Sequence, residues 1–298
     1  MNGRIHKIAG NDYEVHTDTG VWHCGFRGKM KRDRGNALKL GAVGDYVEFA
    51  PGENQVGTIE KILERRSRLS RHDVLKPSKE QVIVANVDVL FVVQAAKDPD
   101  FNLGIVDKCT VMAAANKLPL VIVINKSDLA RPDVSFYEKI GYRCLRTSAA
   151  TGEGVEELRS FLKGKTSVLM GPSGVGKSSL LNALDPELAL KVGSVSKRGE
   201  GRHTTTWVEL VPMGGGLIAD TPGMEFFTLW GVTPENLKDH FLDFVDLADG
   251  CRFRNCSHIK EAHCAVRGHV PESRYANYLD LLDKLIERQQ QNADRHEH

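Results

Sequence analysis

Gly171-Pro172-Ser173-Gly174-Val175-Gly176-Lys177-Ser178-Ser179 lies between an apolar run, Ser167 to Met170, and a helical run that reaches Leu184. No other stretch restricts the fold as much. The glycines permit a tight turn that side chains would resist, and the turn's N–H groups converge at a helix N-terminus, where they attract an anion. Strand, glycine-rich turn and helix in this order belong to an open α/β sheet with a phosphate-binding loop. In that pattern Lys177 reaches the β- and γ-phosphates of a nucleotide and the Ser178 hydroxyl ligates Mg²⁺.

The surrounding chain has the same grammar. Val87 to Val93, Leu120 to Ile124, Tyr142 to Leu145 and Leu217 to Ala219 are further apolar runs, as expected of parallel strands buried on both faces. Gly104 to Lys117, Val155 to Lys163 and Lys177 to Leu184 read as the helices between them. Asn125-Lys126-Ser127-Asp128 stands at the C-terminal end of one strand, where such sheets bind ligands. The Asp128 carboxylate can accept from the N1–H and the amino group of guanine, a donor pair that adenine lacks. Ser148-Ala149, after the next strand, supplies the backbone contact that accompanies this base-reading element. Asp220-Thr221-Pro222-Gly223 follows another strand; Asp220 can hold Mg²⁺ through water and the Gly223 N–H can meet the γ-phosphate. Thr204 or Thr205 is expected to complete the Mg²⁺ shell. Met224 stands where many GTPases carry a water-orienting glutamine, so turnover should be slow without a partner, and His203 is the candidate to position the water.

These elements come in an unusual order. The base-reading pieces at 125–128 and 148–149 precede the phosphate loop at 171 and the turn at 220, a circular permutation of the ordinary GTPase arrangement. The segment after Gly223 then feeds into the C-terminal part, which predicts that the nucleotide state is read out as a movement of that part.

Three pieces are expected: 1–72, 73–229 and 230–298. Net charge is +1 overall, but the first piece carries 13 Lys+Arg against 9 Asp+Glu and the last 9 against 12. Short β-type runs between glycine-containing turns make the first piece an OB-fold-like barrel. Arg27, Lys29, Lys31, Arg32 and Arg34 crowd one of its loops, which can contact RNA phosphates or simply be solvated. Glu64 to Arg71 reads as a charged linker. In the last piece Cys251, Cys256, His258 and Cys264 offer three thiolates and an imidazole, a closed set suited to one structural zinc, with His263 and His269 as alternative nitrogen ligands. Cys24, Cys109 and Cys144 read as ordinary thiols. Arg274 to Gln290 is an amphipathic helix expected to pack on its own domain. The longest apolar runs fall short of the ~18 residues of a membrane span, and the polar N-terminus predicts no secretory signal and a cytoplasmic protein.

Together the permuted motifs, the Gly201-Arg202-His203-Thr204-Thr205-Thr206 segment, the Cys/His cluster and the flanking barrel closely resemble the circularly permuted, small-ribosomal-subunit-dependent GTPases of bacteria. The resemblance covers nearly the whole chain. It implies GTP hydrolysis stimulated by the small subunit, a role in that subunit's late maturation, and contact with 16S rRNA through the outer domains. It also matches His203 to the position held catalytic in the family. The competing classes are a signalling GTPase, for which an anchor would be expected and Arg295 to His298 offers none, and an RNA-binding protein with a degenerate site, against which Lys177, Ser178, Asp128 and Asp220 all stand. A monomer is expected.

Overall fold

The computed structural model describes residues 1–27, 40–73, 78–186, 208–220 and 228–294. Five N-terminal strands, β1 (Asn2–Ala9), β2 (Asp12–Thr17), β3 (Gly20–Phe26), β4 (Tyr46–Pro51) and β5 (Val56–Ile62), pair in the order β1-β2-β3-β5-β4. A further pairing of β1 with β4, Gly3 opposite Val47, closes the OB-like barrel. Ile5, Val15, Val47, Phe49 and Ile59 fill it. The strand that sequence reading does not find is β1. A bulge between Ile5 and Lys7 buries the consecutive residues Ile5 and His6, which removes the alternation that marks a strand.

Residues 64–71 are not simply a linker. β6 (Arg68–His72) and β7 (Glu80–Ala85) form an antiparallel hairpin. Across it Arg68 pairs with Glu80 at 2.7 Å and Arg71 donates to the Gln81 side-chain carbonyl at 2.8 Å, while Leu69 is fully buried. The hairpin bridges the barrel at Val43–Val84 and the chain after the Asp220 turn at Arg71–Leu229.

The nucleotide-binding domain follows. β8 (Val89–Ala95), β9 (Leu120–Asn125), β10 (Arg143–Arg146), β11 (Thr166–Met170) and β13 (Gly216–Asp220) run parallel in the order β10-β9-β8-β11-β13. β12 (Glu209–Met213) lies antiparallel beside β13 and meets β1 at Glu209–Lys7, so the sheet continues into the barrel. Leu90, Val92, Ile122 and Ile124 pack under α1 (Leu103–Ala115). Their neighbours Phe91, Val93, Val121 and Val123 pack under α3 (Val155–Leu162) and α4 (Lys177–Leu184) on the other face, while α2 (Ser135–Lys139) lies on the α1 side. Two covered faces explain why these strands read as unbroken apolar runs.

The C-terminal part contains α5 (Leu242–Ala248) and α6 (Glu272–Asp294). The last helix packs on its own domain, Tyr278 against Phe241 and Phe244, and also on α1. Arg274, 1% exposed, donates to Asp107 of α1 at 2.5 Å and to Asp243 of α5 at 2.7 Å. Tyr137 Oη and Asn277 Nδ2 donate to the same Asp107, each at 2.6 Å. A movement of the C-terminal part must break this network or carry α1 along. Among the described residues no helix is long and apolar enough to cross a membrane.

Candidate functional site

Strand β11 runs into the loop 171–176, and α4 begins at Lys177. Two of its glycines are dictated by neighbours as well as by the turn. Gly171 has φ +150°, and a Cβ there would lie 2.1 Å from the Val93 carbonyl oxygen of β8; Gly176 has φ +89°, and its Cβ would lie 2.4 Å from Asn125 Nδ2. The Lys177 ammonium folds over the loop and donates to the carbonyls of Gly171 at 2.6 Å and Pro172 at 2.8 Å. Ser178 and Ser179 occupy the exposed side of the first helical turn.

The loops after β9 and β10 reach the same point. Asn125, 1% exposed at the end of β9, donates through Nδ2 to the Val175 carbonyl at 2.8 Å and accepts from Thr147 Oγ1 at 3.3 Å. Lys126 donates to the Asp98 carbonyl. Asn125, three residues before Asp128, is thereby hydrogen-bonded to Val175, two residues before Lys177, and Asp128 is exposed. Ser148 is fully buried, and its N–H donates to the Glu153 carbonyl at 2.9 Å. Ser127, 3% exposed, donates to Glu153 Oε2 at 2.7 Å.

Thr147, Glu153 and Arg131 belong to this construction although no motif in the sequence marks them. The available signal is Gly152-Glu153-Gly154: Gly154 has φ +67° and a Cβ would meet the Arg146 carbonyl at 2.0 Å. Asp220 ends β13 beside β11, where Val168 is opposite Ala219. Its side chain lies outside the described residues, as do His203, Thr204, Thr205, Gly223, Lys29, Lys31, Arg32 and Arg34. Arg27 is described and exposed, 3.4 Å from Glu60.

In the C-terminal part, Cys251, Cys256, His258 and Cys264 bring their donor atoms within 4.8 Å of one another. His258 Nδ1 lies 3.7 Å from Cys251 Sγ and 3.4 Å from Cys264 Sγ. Four ligands on a tetrahedral zinc, at ~2.3 Å for sulfur and ~2.0 Å for nitrogen, would be spaced by roughly 3.5 Å, so the donor set fits the ion. Backbone N–H groups of Ala265 and Arg267 point at Cys251 and Cys264 sulfurs, at 3.2 and 3.3 Å, as support for thiolates. Of the three histidines weighed as ligands, His258 is the one in the cluster. Burial pushes the thiols of Cys24 up to about 11 and of Cys109 and Cys144 up to about 12, so these three stay protonated and unreactive near neutrality.

The RsgA GTPase family model matches residues 62–230, and the RsgA N-terminal domain model matches residues 2–59. This chain belongs to the RsgA GTPase family. The small ribosomal subunit biogenesis GTPase RsgA of Caldanaerobacter subterraneus subsp. tengcongensis is 38% identical over 97% of this chain and 97% of its own length. The crystal structure of YjeQ from Thermotoga maritima superposes with a TM-score of 0.74 at 36% identity, covering 96% of this chain and 98% of that one. The structure of YloQ, described as a circularly permuted GTPase, gives 0.72 at 30% identity over 96% and 95%. Like other RsgA proteins, the chain is a GTP hydrolase built on a permuted nucleotide-binding domain. The permutation leaves the strand neighbours in place, with β8 between β9 and β11.

Proposed function

We propose that the chain binds the small ribosomal subunit, that the subunit stimulates its GTP hydrolysis, and that turnover times a late step in the subunit's maturation, in the cytoplasm and as a monomer. Relatives that match over nearly their whole length carry the name small ribosomal subunit biogenesis GTPase. The observation that carries the reading is the Asn125–Val175 hydrogen bond, which holds the base-reading loop against the phosphate loop.

In this reading Asp128 accepts the guanine N1–H and amino hydrogens, and the Ala149 amide meets the ring carbonyl. Adenine would leave the carboxylate without donors, a cost of roughly 1–3 kcal/mol or more. The amides of Gly174 to Ser179 and the Lys177 ammonium take the β- and γ-phosphates in exchange for the loop carbonyls that Lys177 now contacts. Ser178, Thr204 or Thr205, and Asp220 through water, would hold Mg²⁺, whose charge supports that on the phosphates. His203 orients the attacking water in place of the glutamine that Met224 replaces. Loss of the γ-phosphate frees the Gly223 N–H, and the segment beyond it leads to Thr228 and Leu229, which the β6–β7 hairpin grips. The hairpin is thus a route to the barrel as direct as the route to the C-terminal part.

Arg27, Lys29, Lys31, Arg32 and Arg34 of the barrel, with Arg252, Arg254 and Lys260, are the cations assigned to 16S rRNA phosphates; binding through them should weaken steeply with salt. Cys251, Cys256, His258 and Cys264 hold one structural zinc. Elemental analysis should find about one zinc per chain, and Cys256→Ser should abolish it and lower the melting temperature of the C-terminal part. A full-length chain purified without metal that melts as the loaded one does would remove the zinc assignment.

Turnover of GTP with and without purified small subunits tests the proposal. Stimulation of at least about tenfold, a barrier change of ~1.4 kcal/mol, is expected, and His203→Ala should lose most of it while binding GDP normally. Equal rates with and without subunits would contradict the ribosomal reading.

A further inference from the structure

Glu153 lies outside every motif that names this site, yet both of its carboxylate oxygens are engaged around Asp128. Oε2 accepts from the Ser127 hydroxyl at 2.7 Å and Oε1 from Arg131 Nη2 at 2.9 Å. Ser127 immediately precedes Asp128, and Arg131 follows it by three residues. One carboxylate thus staples the chain on either side of the residue that reads the base. The Glu153 main chain reaches the other half of the reader: its carbonyl accepts from the Ser148 N–H at 2.9 Å, one residue from the Ala149 amide.

We infer that Glu153 is a positioning residue for base selection, which holds the Asp128 carboxylate and the Ala149 amide at the separation that guanine requires. The inference rests on the assignment of Asp128 to the base. It follows from how the loop is pinned. Asn125 anchors one end on Val175, and Ser127 N–H donates to the Thr147 carbonyl at 3.1 Å. The remainder of the loop, 128–131, is exposed or half-buried. Main-chain hydrogen bonds within it amount to the Leu129 N–H on the Lys126 carbonyl, at 2.9 Å. Without Glu153, the buried Ser127 hydroxyl loses its acceptor and Arg131 its ion pair, which leaves Arg146 at the end of β10, donating to the Pro132 carbonyl at 3.3 Å, as the described tie on the far side of Asp128. Hydrogen bonds to a planar base edge weaken steeply with misalignment, so a small shift of the Asp128 carboxylate falls on guanine recognition first.

The test compares GDP with IDP, whose hypoxanthine keeps the N1–H and ring carbonyl but lacks the amino group, by calorimetric titration of the full chain. Wild-type protein should prefer GDP. In Glu153→Ala, GDP affinity should fall at least about tenfold, with a smaller loss for IDP, so the preference shrinks several-fold. Glu153→Gln keeps an acceptor for Ser127 and should restore most of the preference, and Ser127→Ala should reproduce part of the loss. In GTP turnover the effect should fall on KM more than on kcat. Equal losses for GDP and IDP, or no loss, would overturn the positioning role and leave the Asp128 assignment standing. A wild-type protein that binds GDP no better than IDP would overturn the Asp128 assignment itself.

Discussion

Replacing Arg274 by methionine should destabilise the protein by about 3–5 kcal/mol, the range for breaking a buried ion pair from one side. Arg274 is 1% exposed, and the carboxylates it holds are equally hidden, Asp107 at 0% and Asp243 at 4%. Burial on its own would lower the guanidinium's pKa, but hydrogen bonding and charge from Asp243 and Asp107 outweigh it and raise the value above the ordinary one. The guanidinium also lies 4.4 Å from the centre of the Phe241 ring, so packing is lost along with charge. Methionine fills most of the volume and leaves two carboxylates without a counter-charge. Tyr137 and Asn277 still serve Asp107, so Asp243 is the more costly orphan. Adding Asp243→Asn to Arg274→Met should therefore recover a measurable part of the loss, a coupling that a double-mutant cycle in chemical denaturation reads directly. A loss below about 1 kcal/mol, the level of an exposed pair, would contradict the structural role given to this network.

The network also bears on how a nucleotide signal can leave the site. Sequence order leads from Gly223 into the C-terminal part and predicts movement there. The structure ties that part to α1 by buried charge, and it ties the chain at Thr228 and Leu229 to the β6–β7 hairpin, which in turn bridges to the barrel at Val43. Both outer parts are mechanically joined to the nucleotide-binding domain.

The segments proposed to form the nucleotide site were legible in the chain because each pattern is local. The phosphate loop, the Asn125 to Asp128 element and the Ser148-Ala149 pair each act through a few consecutive residues with a distinctive pattern, and the doubly covered strands announce themselves as apolar runs. The Cys/His cluster was legible for the same reason, though the choice among His258, His263 and His269 needed the fold. What escaped was everything set by partners far away in sequence. β1 is hidden by a bulge and by the burial of a histidine, and β6 by charges that find mates 10 or 12 residues on in β7. Glu153 reveals its use only when β9 and β10 are side by side. Arg274 reads as one more charge on an amphipathic helix until Asp107, 167 positions away, is placed against it.

Asp128→Asn should shift the base preference from guanine towards xanthine. Xanthine keeps the N1–H but carries a carbonyl where guanine has its amino group. An asparagine amide offers an acceptor to the first and a donor to the second, whereas the native carboxylate would face that carbonyl with no hydrogen to share. Sites built around such hydrogen bonds reject a mismatched partner by factors of up to ~10⁴, so GDP affinity should fall by two orders of magnitude or more and XDP affinity should rise. The loop is held by Asn125 and Ser127, which the substitution leaves in place, so the effect should appear in binding without loss of folding stability. The direct measurement is a titration of wild-type and Asp128→Asn protein with GDP and XDP under one set of conditions. Reversal of the preference is the predicted result; a variant that still binds GDP within about twofold of wild type, with XDP no tighter, would contradict the claim that this cleft selects its purine through Asp128.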